Sequence, residues 1–186
     1  MRRILALLAA LMLLPCFSLA EEYVPDEATL AVHSAVKELL TKEDVYFEAE
    51  DAYAYTACAF ELENDAYGDC FVYLDAYPDY VVVEAVYEQT FTKEQMIQLA
   101  PLMAMLNGDF HTGSLCLFFD TGEAGCKVYM PVDPAGPTAL DGQRIIDALY
   151  TCAGIMDEVV YYYQELLERG EKAENVFAMY IADYYQ

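Results

Sequence analysis

The chain has 186 residues, of which 57% are hydrophobic, and its 32 acidic residues outweigh 9 basic ones to give a net charge of −23. So much negative charge disfavours nucleic acid, anionic lipid and phosphorylated ligands, which proteins bind mainly through clusters of lysine and arginine. The high hydrophobic content excludes a disordered acidic tail, and the length suits one ordinary folded domain.

Residues 1–20 have the pattern of a cleavable secretory signal peptide. Arg2 and Arg3 precede an unbroken apolar run at residues 4–14, and small residues at 18–20 suit cleavage before Glu21. The apolar run is shorter than the roughly 20 residues of a membrane-spanning helix. We therefore expect export to the periplasm, cell envelope or extracellular space, with no membrane insertion after cleavage. Lipidation at Cys16 is the weaker alternative, because Pro15 occupies a position where lipoprotein signals carry a small residue.

The first half of the remaining chain predicts a helix followed by three strands. After Pro25 and Asp26, apolar residues recur at helical spacing as far as Leu40. Three segments rich in aromatic and β-branched residues follow, separated by turn sequences, at residues 53–62, 69–76 and 79–88. This pattern predicts an antiparallel three-stranded meander.

The second half predicts a helix, a hairpin and two further helices. Thr92 and Gln95 form a capping box, and Pro101 inside the helix they begin predicts a kink or an early break. Strands at about 113–119 and 125–132 flank a turn at 120–122. A long helix over about 141–169 and a short helix over 172–185 complete the order. We interpret the chain as an α+β domain at 21–170, a C-terminal helical extension at 171–186, and no doubly wound parallel sheet.

This order of elements resembles the YbjN-domain family over about residues 26–168. The resemblance also rests on Leu106 and Asn107 at the end of the middle helix, Gly113 before the next strand, and the turn at 120–122. The family's fold is similar to that of type III secretion chaperones. The resemblance implies a chaperone-like binding module with no catalytic residues to carry over. This chain differs from secretion chaperones, which act in the cytosol, in carrying a predicted export signal.

Five cysteines follow the predicted cleavage site, and their odd number leaves at least one of them outside any intramolecular pair. No C-x-x-C motif occurs, which argues against a thioredoxin-like or zinc site. Cys116 and Cys126 lie in the two strands around the turn at 120–122, so they form the candidate disulfide. Two buried thiols are the alternative.

No motif indicates catalysis, a metal or a cofactor. His33 and His111 have no further ligand at metal-binding spacing, and surface or capping roles are the simpler interpretation. The segment 118–122, Phe-Phe-Asp-Thr-Gly, resembles the catalytic motif of aspartic proteases, but it occurs once and those enzymes need two such carboxylates. We therefore predict a non-enzymatic protein.

Two surfaces are candidates for binding, and each also has an ordinary packing interpretation. The first candidate is a set of tyrosines in and beside the predicted strands. The second is a long apolar seam on the third helix, which could pack on the chain's own sheet or form a homodimer. The candidate binding face consists of Tyr53, Tyr55, Tyr73, Tyr80 and Tyr87, and the candidate helix seam consists of Ile145, Leu149, Met156, Val159 and Tyr163.

The favoured prediction is an exported module that binds an unidentified protein or peptide through one of these surfaces. The alternative is an extracytoplasmic domain that binds a carbohydrate or another small ligand on its tyrosines.

Overall fold

The structure is a computed structural model that describes residues 24–133 and 138–185. The predicted signal peptide and Cys16 lie outside the described residues. Four helices and six strands occur in this order: α1 (Glu27–Lys42), β1 (Glu48–Glu50), β2 (Tyr55–Phe60), β3 (Cys70–Ala76), β4 (Tyr80–Tyr87), α2 (Lys93–Leu106), β5 (Ser114–Phe118), β6 (Glu123–Pro131), α3 (Ala139–Leu167) and α4 (Ala173–Tyr185). The predicted α+β class and order of elements are confirmed.

All six strands form one antiparallel sheet in the order β1-β2-β3-β4-β6-β5. The meander β2-β3-β4 is as predicted, and the β5-β6 hairpin joins it through pairing of β6 with β4. Strand β1 was not predicted, because its three residues are Glu-Ala-Glu and lack the aromatic and β-branched side chains typical of strands.

The helix ends follow from local capping chemistry. The Asp26 side chain accepts a hydrogen bond from the Thr29 amide at 2.7 Å, which begins α1. The predicted capping box of Thr92 and Gln95 begins α2. Helix α2 does not break early at Pro101 but continues to Leu106. Pro101 and Ile97, whose carbonyl loses its helical donor, are both exposed, so water can replace the missing bond.

Helix α3 lies across the sheet and buries its apolar seam there. Its Cys152 Sγ approaches the carbonyl oxygen of Val83 at 3.9 Å, and the Tyr87 hydroxyl donates to the Met156 carbonyl at 2.7 Å. The predicted binding seam of Ile145, Leu149, Met156, Val159 and Tyr163 is buried, each residue being no more than 1% exposed. The seam therefore belongs to the core and is not available to a second chain, which corrects the prediction of a binding surface there.

Helix α4 packs on α2 and α3 as a part of the domain. Val176 and Tyr180 join the core, and the Tyr180 hydroxyl donates to Asp109 Oδ2 at 2.8 Å. No helix in the described parts of the chain is both long and apolar enough to cross a membrane.

Candidate functional site: the sheet face without a described helix

One face of the sheet carries no described helix. Because side chains alternate between the faces of a strand, the register of the six strands assigns each residue to a face. We call the helix-bearing side the covered face and the other side the open face. Across the open face, one row of neighbours runs Glu50, Tyr55, Asp75, Val82 and Tyr129, and the next runs Glu48, Ala57, Tyr73, Glu84, Lys127 and Ser114.

The open face has an apolar patch of its own. Tyr55, Phe71, Val82 and Val86 are all buried, yet none of them belongs to the hydrophobic core that the helices form with the covered face. The patch is therefore a second apolar surface, separate from the one that specifies the fold.

Acidic side chains dominate the rest of this face. Five carboxylates share it with a single basic residue, Lys127: they belong to Glu48, Glu50, Asp75, Glu84 and Glu123. Lys127 forms an ion pair with Glu84, and its ammonium lies 5.0 Å from the centre of the Phe118 ring. Burial opposes the charge on Lys127, but the hydrogen bond and attraction of Glu84 outweigh it and raise the pKa of Lys127.

Asp75 is the unusual carboxylate of the open face. It is half-buried between Tyr55 and Val82, its neighbours on the two adjacent strands. Burial, reinforced by the negative charge of Glu84, raises the pKa of Asp75 to about 6, although Lys127 acts in the opposite direction. A negative charge at this position is destabilising unless a cation approaches it.

Three of the five predicted tyrosines lie together on the open face. Tyr55 and Tyr73 contact each other edge to face with ring centroids 6.2 Å apart, and Tyr80 stacks on Tyr77 at 4.4 Å. Tyr53 instead precedes β2 in a turn, half-exposed. Tyr87 lies on the covered face and is buried in the core, which corrects its predicted place in the binding face.

Tyr129 is the most exposed of the open-face aromatic residues that the sequence analysis did not assign to the binding face. It remains 63% exposed, and its ring centroid lies 6.2 Å from that of Tyr80. The alternation of side chains between the two faces over residues 125–132 could have identified Tyr129. That alternation separates Cys126, Val128 and Met130 from Tyr129.

The cysteines do not form the predicted disulfide. Cys116 pairs with Gly125 and Cys126 pairs with Leu115, so the side chains of Cys116 and Cys126 point to opposite faces of the sheet. All five cysteines of the described residues are free thiols. Burial raises the pKa of the Cys116 thiol to about 12, which disfavours a reactive thiolate.

The two histidines have different surroundings. His33 is buried, with Nε2 3.0 Å from the Tyr55 carbonyl oxygen, which corrects its predicted surface role. Burial and the charge of Lys37 lower the pKa of His33, so its neutral form is favoured. His111 is exposed.

The Asp-Thr-Gly segment forms a turn. Gly122 has φ +82°, and its amide donates to the Phe118 carbonyl at 2.8 Å. A Cβ at position 122 would lie 2.8 Å from the Phe91 carbonyl oxygen, so glycine is required there. Within residues 24–133 and 138–185, no group of three or more His, Cys, Asp or Glu side chains is placed to hold a metal ion.

A scan against protein-family models, a search of curated proteins and a search of solved structures each returned no match. The resemblance to the YbjN-domain family therefore stays a prediction, and the function must be argued from the chain's own residues.

Proposed function

We propose that this domain binds polypeptide segments that combine basic and apolar side chains, and that the open face is the binding surface. The observation that carries this proposal is the position of Asp75. Its carboxylate is half-buried beside the apolar patch, on a face where acidic residues outnumber the single Lys127.

Charge complementarity selects the chemistry of the partner. Opposite charges across an interface steer association and set its register. Lys127 is already paired with Glu84, so Asp75 and the glutamates of β1 remain for a partner's lysine or arginine side chains. Phe71, Val82 and Val86 are already buried, so the exposed Tyr129 is the residue of this face that a partner's apolar side chain can contact directly. An extended segment that carries basic and apolar side chains on the same side, or an amphipathic helix whose apolar stripe is bordered by basic residues, meets both requirements.

Solubility alone does not account for this arrangement. Charges that serve only to keep a protein in solution can lie anywhere on its exposed surface. They need not lie beside buried apolar side chains. Asp75 is instead held where burial raises its pKa to about 6. Carboxylates with strongly shifted pKa values concentrate at functional sites, because selection for binding outweighs their cost in stability.

Carbohydrate binding has weaker support on this face. A sugar stacks on the flat side of an exposed aromatic ring. One side of the Tyr80 ring is already occupied by Tyr77, and Tyr55 and Tyr73 contact each other. Of the tyrosines on this face, only Tyr129 is largely exposed to solvent. The peptide proposal is therefore preferred.

Fluorescence anisotropy with two synthetic peptides tests the proposal. A 12-residue peptide that repeats Leu-Leu-Lys-Lys places both residue types on each side of an extended chain and should bind the protein, whereas the matching glutamate and leucine peptide should not. The protein is used both as the full chain and from Glu21 onward, a form that retains every described core residue.

Variants locate the binding and separate it from general charge attraction. Asp75→Asn should weaken the lysine peptide about ten-fold or more, since a charge-assisted contact contributes about 1.5–3 kcal/mol. Glu38→Gln removes the same charge from the exposed side of α1 and should change the affinity less than two-fold. Equal effects of the two substitutions, or equal binding of both peptides, would overturn the proposal.

A further inference from the structure

The outer edge of the sheet is paired along only part of its length. Strand β5 begins at Ser114, whose partner on β6 is Lys127, but β6 continues to Pro131. Residues 128–131 of β6 therefore have a sheet neighbour only on the β4 side. Gly113, at φ +81°, precedes β5, and a Cβ there would lie 2.9 Å from Cys126 Sγ. Glycine thus allows the chain to leave the sheet at this point.

The hydrogen bonds of the neighbouring residues show which backbone groups face the unpaired edge. The Val132 amide donates to the Asp79 carbonyl at 3.0 Å, toward β4. Because backbone groups alternate along a strand, Val128 and Met130 also face β4 and Tyr129 faces outward. The edge therefore presents the Tyr129 N–H and C=O. Pro131 presents only a C=O, since proline has no N–H.

Strand β5 is different, because its outer edge is closed by a side chain. The Leu115 amide donates to Asn107 Oδ1 at 2.7 Å, and Asn107 Nδ2 donates to the Leu115 carbonyl at 2.9 Å. An edge residue whose backbone N–H and C=O have no such partner can form hydrogen bonds with another chain. Among the described residues, no loop or cap supplies a backbone partner to Tyr129 in the same way.

A cleft of about 550 Å³ lies beside this unpaired edge. Its other walls are the loop that contains His111 and the first turns of α3, where Arg144 and Thr151 line it. The volume falls within the range of sites that hold small ligands and short peptides. The unpaired edge consists of the four residues 128–131, whose first and last Cα atoms are about 10 Å apart at 3.3 Å per residue.

Two basic residues, Lys127 and Arg144, line this cleft beside one carboxylate, Asp147, whereas acidic residues dominate the open face. Arg144 is exposed, and among the described residues it forms no ion pair within 4.0 Å. An arginine guanidinium pairs with a carboxylate through two parallel hydrogen bonds. Arg144 is attracted to Asp141 on the preceding turn but forms no close ion pair with it, so its guanidinium is free to form a two-bond contact with a ligand carboxylate.

We propose that this cleft binds the carboxyl-terminal residues of an extended peptide, which adds to the edge of β6 at Tyr129 and pairs its terminal carboxylate with Arg144. A chain terminus suits the site because the edge is short and Pro131 ends its hydrogen-bonding capacity. Strand addition supplies the backbone contacts, and the arginine supplies the preference for a free carboxylate. The two proposed sites adjoin at Lys127 and Tyr129, but they bind groups of opposite charge, so either proposal can fail without the other.

The test uses a fluorescein-labelled hexapeptide of alternating valine and threonine, once with a free carboxylate and once amidated. The free form should bind at least ten-fold more tightly than the amidated form. Arg144→Gln should remove that difference. Arg169→Gln, at the far end of α3, should preserve it, because Arg169 is exposed and already paired with Glu165.

Amide hydrogen exchange at Tyr129 provides a second readout. The loss of the Arg144 charge does not by itself alter this exchange. The Tyr129 amide should exchange rapidly in the free protein and become protected when the hexapeptide is bound. Equal binding of the two peptide forms, no binding of either up to millimolar concentration, or a Tyr129 amide already protected in the free protein would each overturn the inference.

Discussion

The covered and open faces of the sheet differ in what their side chains are needed for. On the covered face, Val72, Leu74, Val81 and Val83 are completely buried and pack in the helical core. On the open face, the same two strands carry Asp75 and Glu84 beside Val82 and Val86. The covered face therefore specifies the fold, whereas the open face carries charges that the fold alone does not require.

The largest expected effect is on the covered face. Leu74→Ala should lower the free energy of unfolding by about 3 kcal/mol, because it opens a cavity in a fully buried site. Val82→Ala on the open face should lower it by about 1–2 kcal/mol, since Val82 is buried but packs in the smaller apolar patch outside the helical core. Urea unfolding of both variants measures the difference. Similar losses would show that the two faces contribute equally to stability.

A substitution of opposite sign is expected on the open face. Asp75→Asn should raise the free energy of unfolding at pH 7 by about 2 kcal/mol, because it removes a charge that burial disfavours. The folded pKa of Asp75 lies near 6 and the unfolded value near 3.8, so between these values the folded state binds more protons. The wild-type protein therefore loses stability from this group as the pH rises from about 4 to 6.

Paired urea titrations of the wild-type and Asp75→Asn proteins check this window. The advantage of the variant should be close to zero below pH 4 and reach its plateau above pH 6. Taking the difference between the two proteins cancels the titration of other groups, including His33. An advantage that does not change with pH would contradict the role given to the charge.

Binding should follow the same titration. A basic peptide needs the ionised form of Asp75, so its affinity should fall as the pH is lowered from 7 to 5, through the raised pKa of that carboxyl. The expected loss is several-fold for the wild-type protein and absent in Asp75→Asn, as measured by anisotropy with the lysine and leucine peptide. The same pH dependence in both proteins would place the titrating group elsewhere.

The smallest expected effects concern two cysteines on opposite faces. Cys126→Ser should lower the free energy of unfolding by about 1–2 kcal/mol, because it buries a hydroxyl group in the core. Cys116→Ser on the open face should change it by less than about 0.5 kcal/mol. If the two thiols were joined in a disulfide, both substitutions would instead cause the same large loss.

Periodicity in the sequence was sufficient to predict every described element except β1, and insufficient to assign residues to the two faces of the sheet. The aromatic and β-branched runs predicted β2, β3 and β4 because their alternation reflects local geometry. The pairing of β6 with β4 depends on contacts distant in the sequence, and so does the position of Cys116 opposite Gly125. A shift of one residue in such a register moves a side chain to the other face, which is why the disulfide could not be predicted correctly.

The residues of the proposed binding site were only partly predictable from the sequence, for the same reason. Tyr55, Tyr73 and Tyr80 were identified because tyrosines alternate on the predicted strands, but Tyr87 had the same signal and lies in the core. Asp75 gave no signal at all, since its raised pKa comes from neighbours on two other strands. The predicted signal peptide and export stay predictions, which N-terminal sequencing of the secreted protein would check.

The most direct test of the open face is an NMR titration of valine methyl groups with the lysine and leucine peptide. Val82 and Val86 lie on the open face, and their neighbours Val81 and Val83 lie on the covered face of the same strand. The account predicts larger shifts at Val82 and Val86 than at Val81 and Val83, because the first two lie on the face that the peptide covers. Equal shifts at all four valines, or shifts confined to the helices, would contradict it.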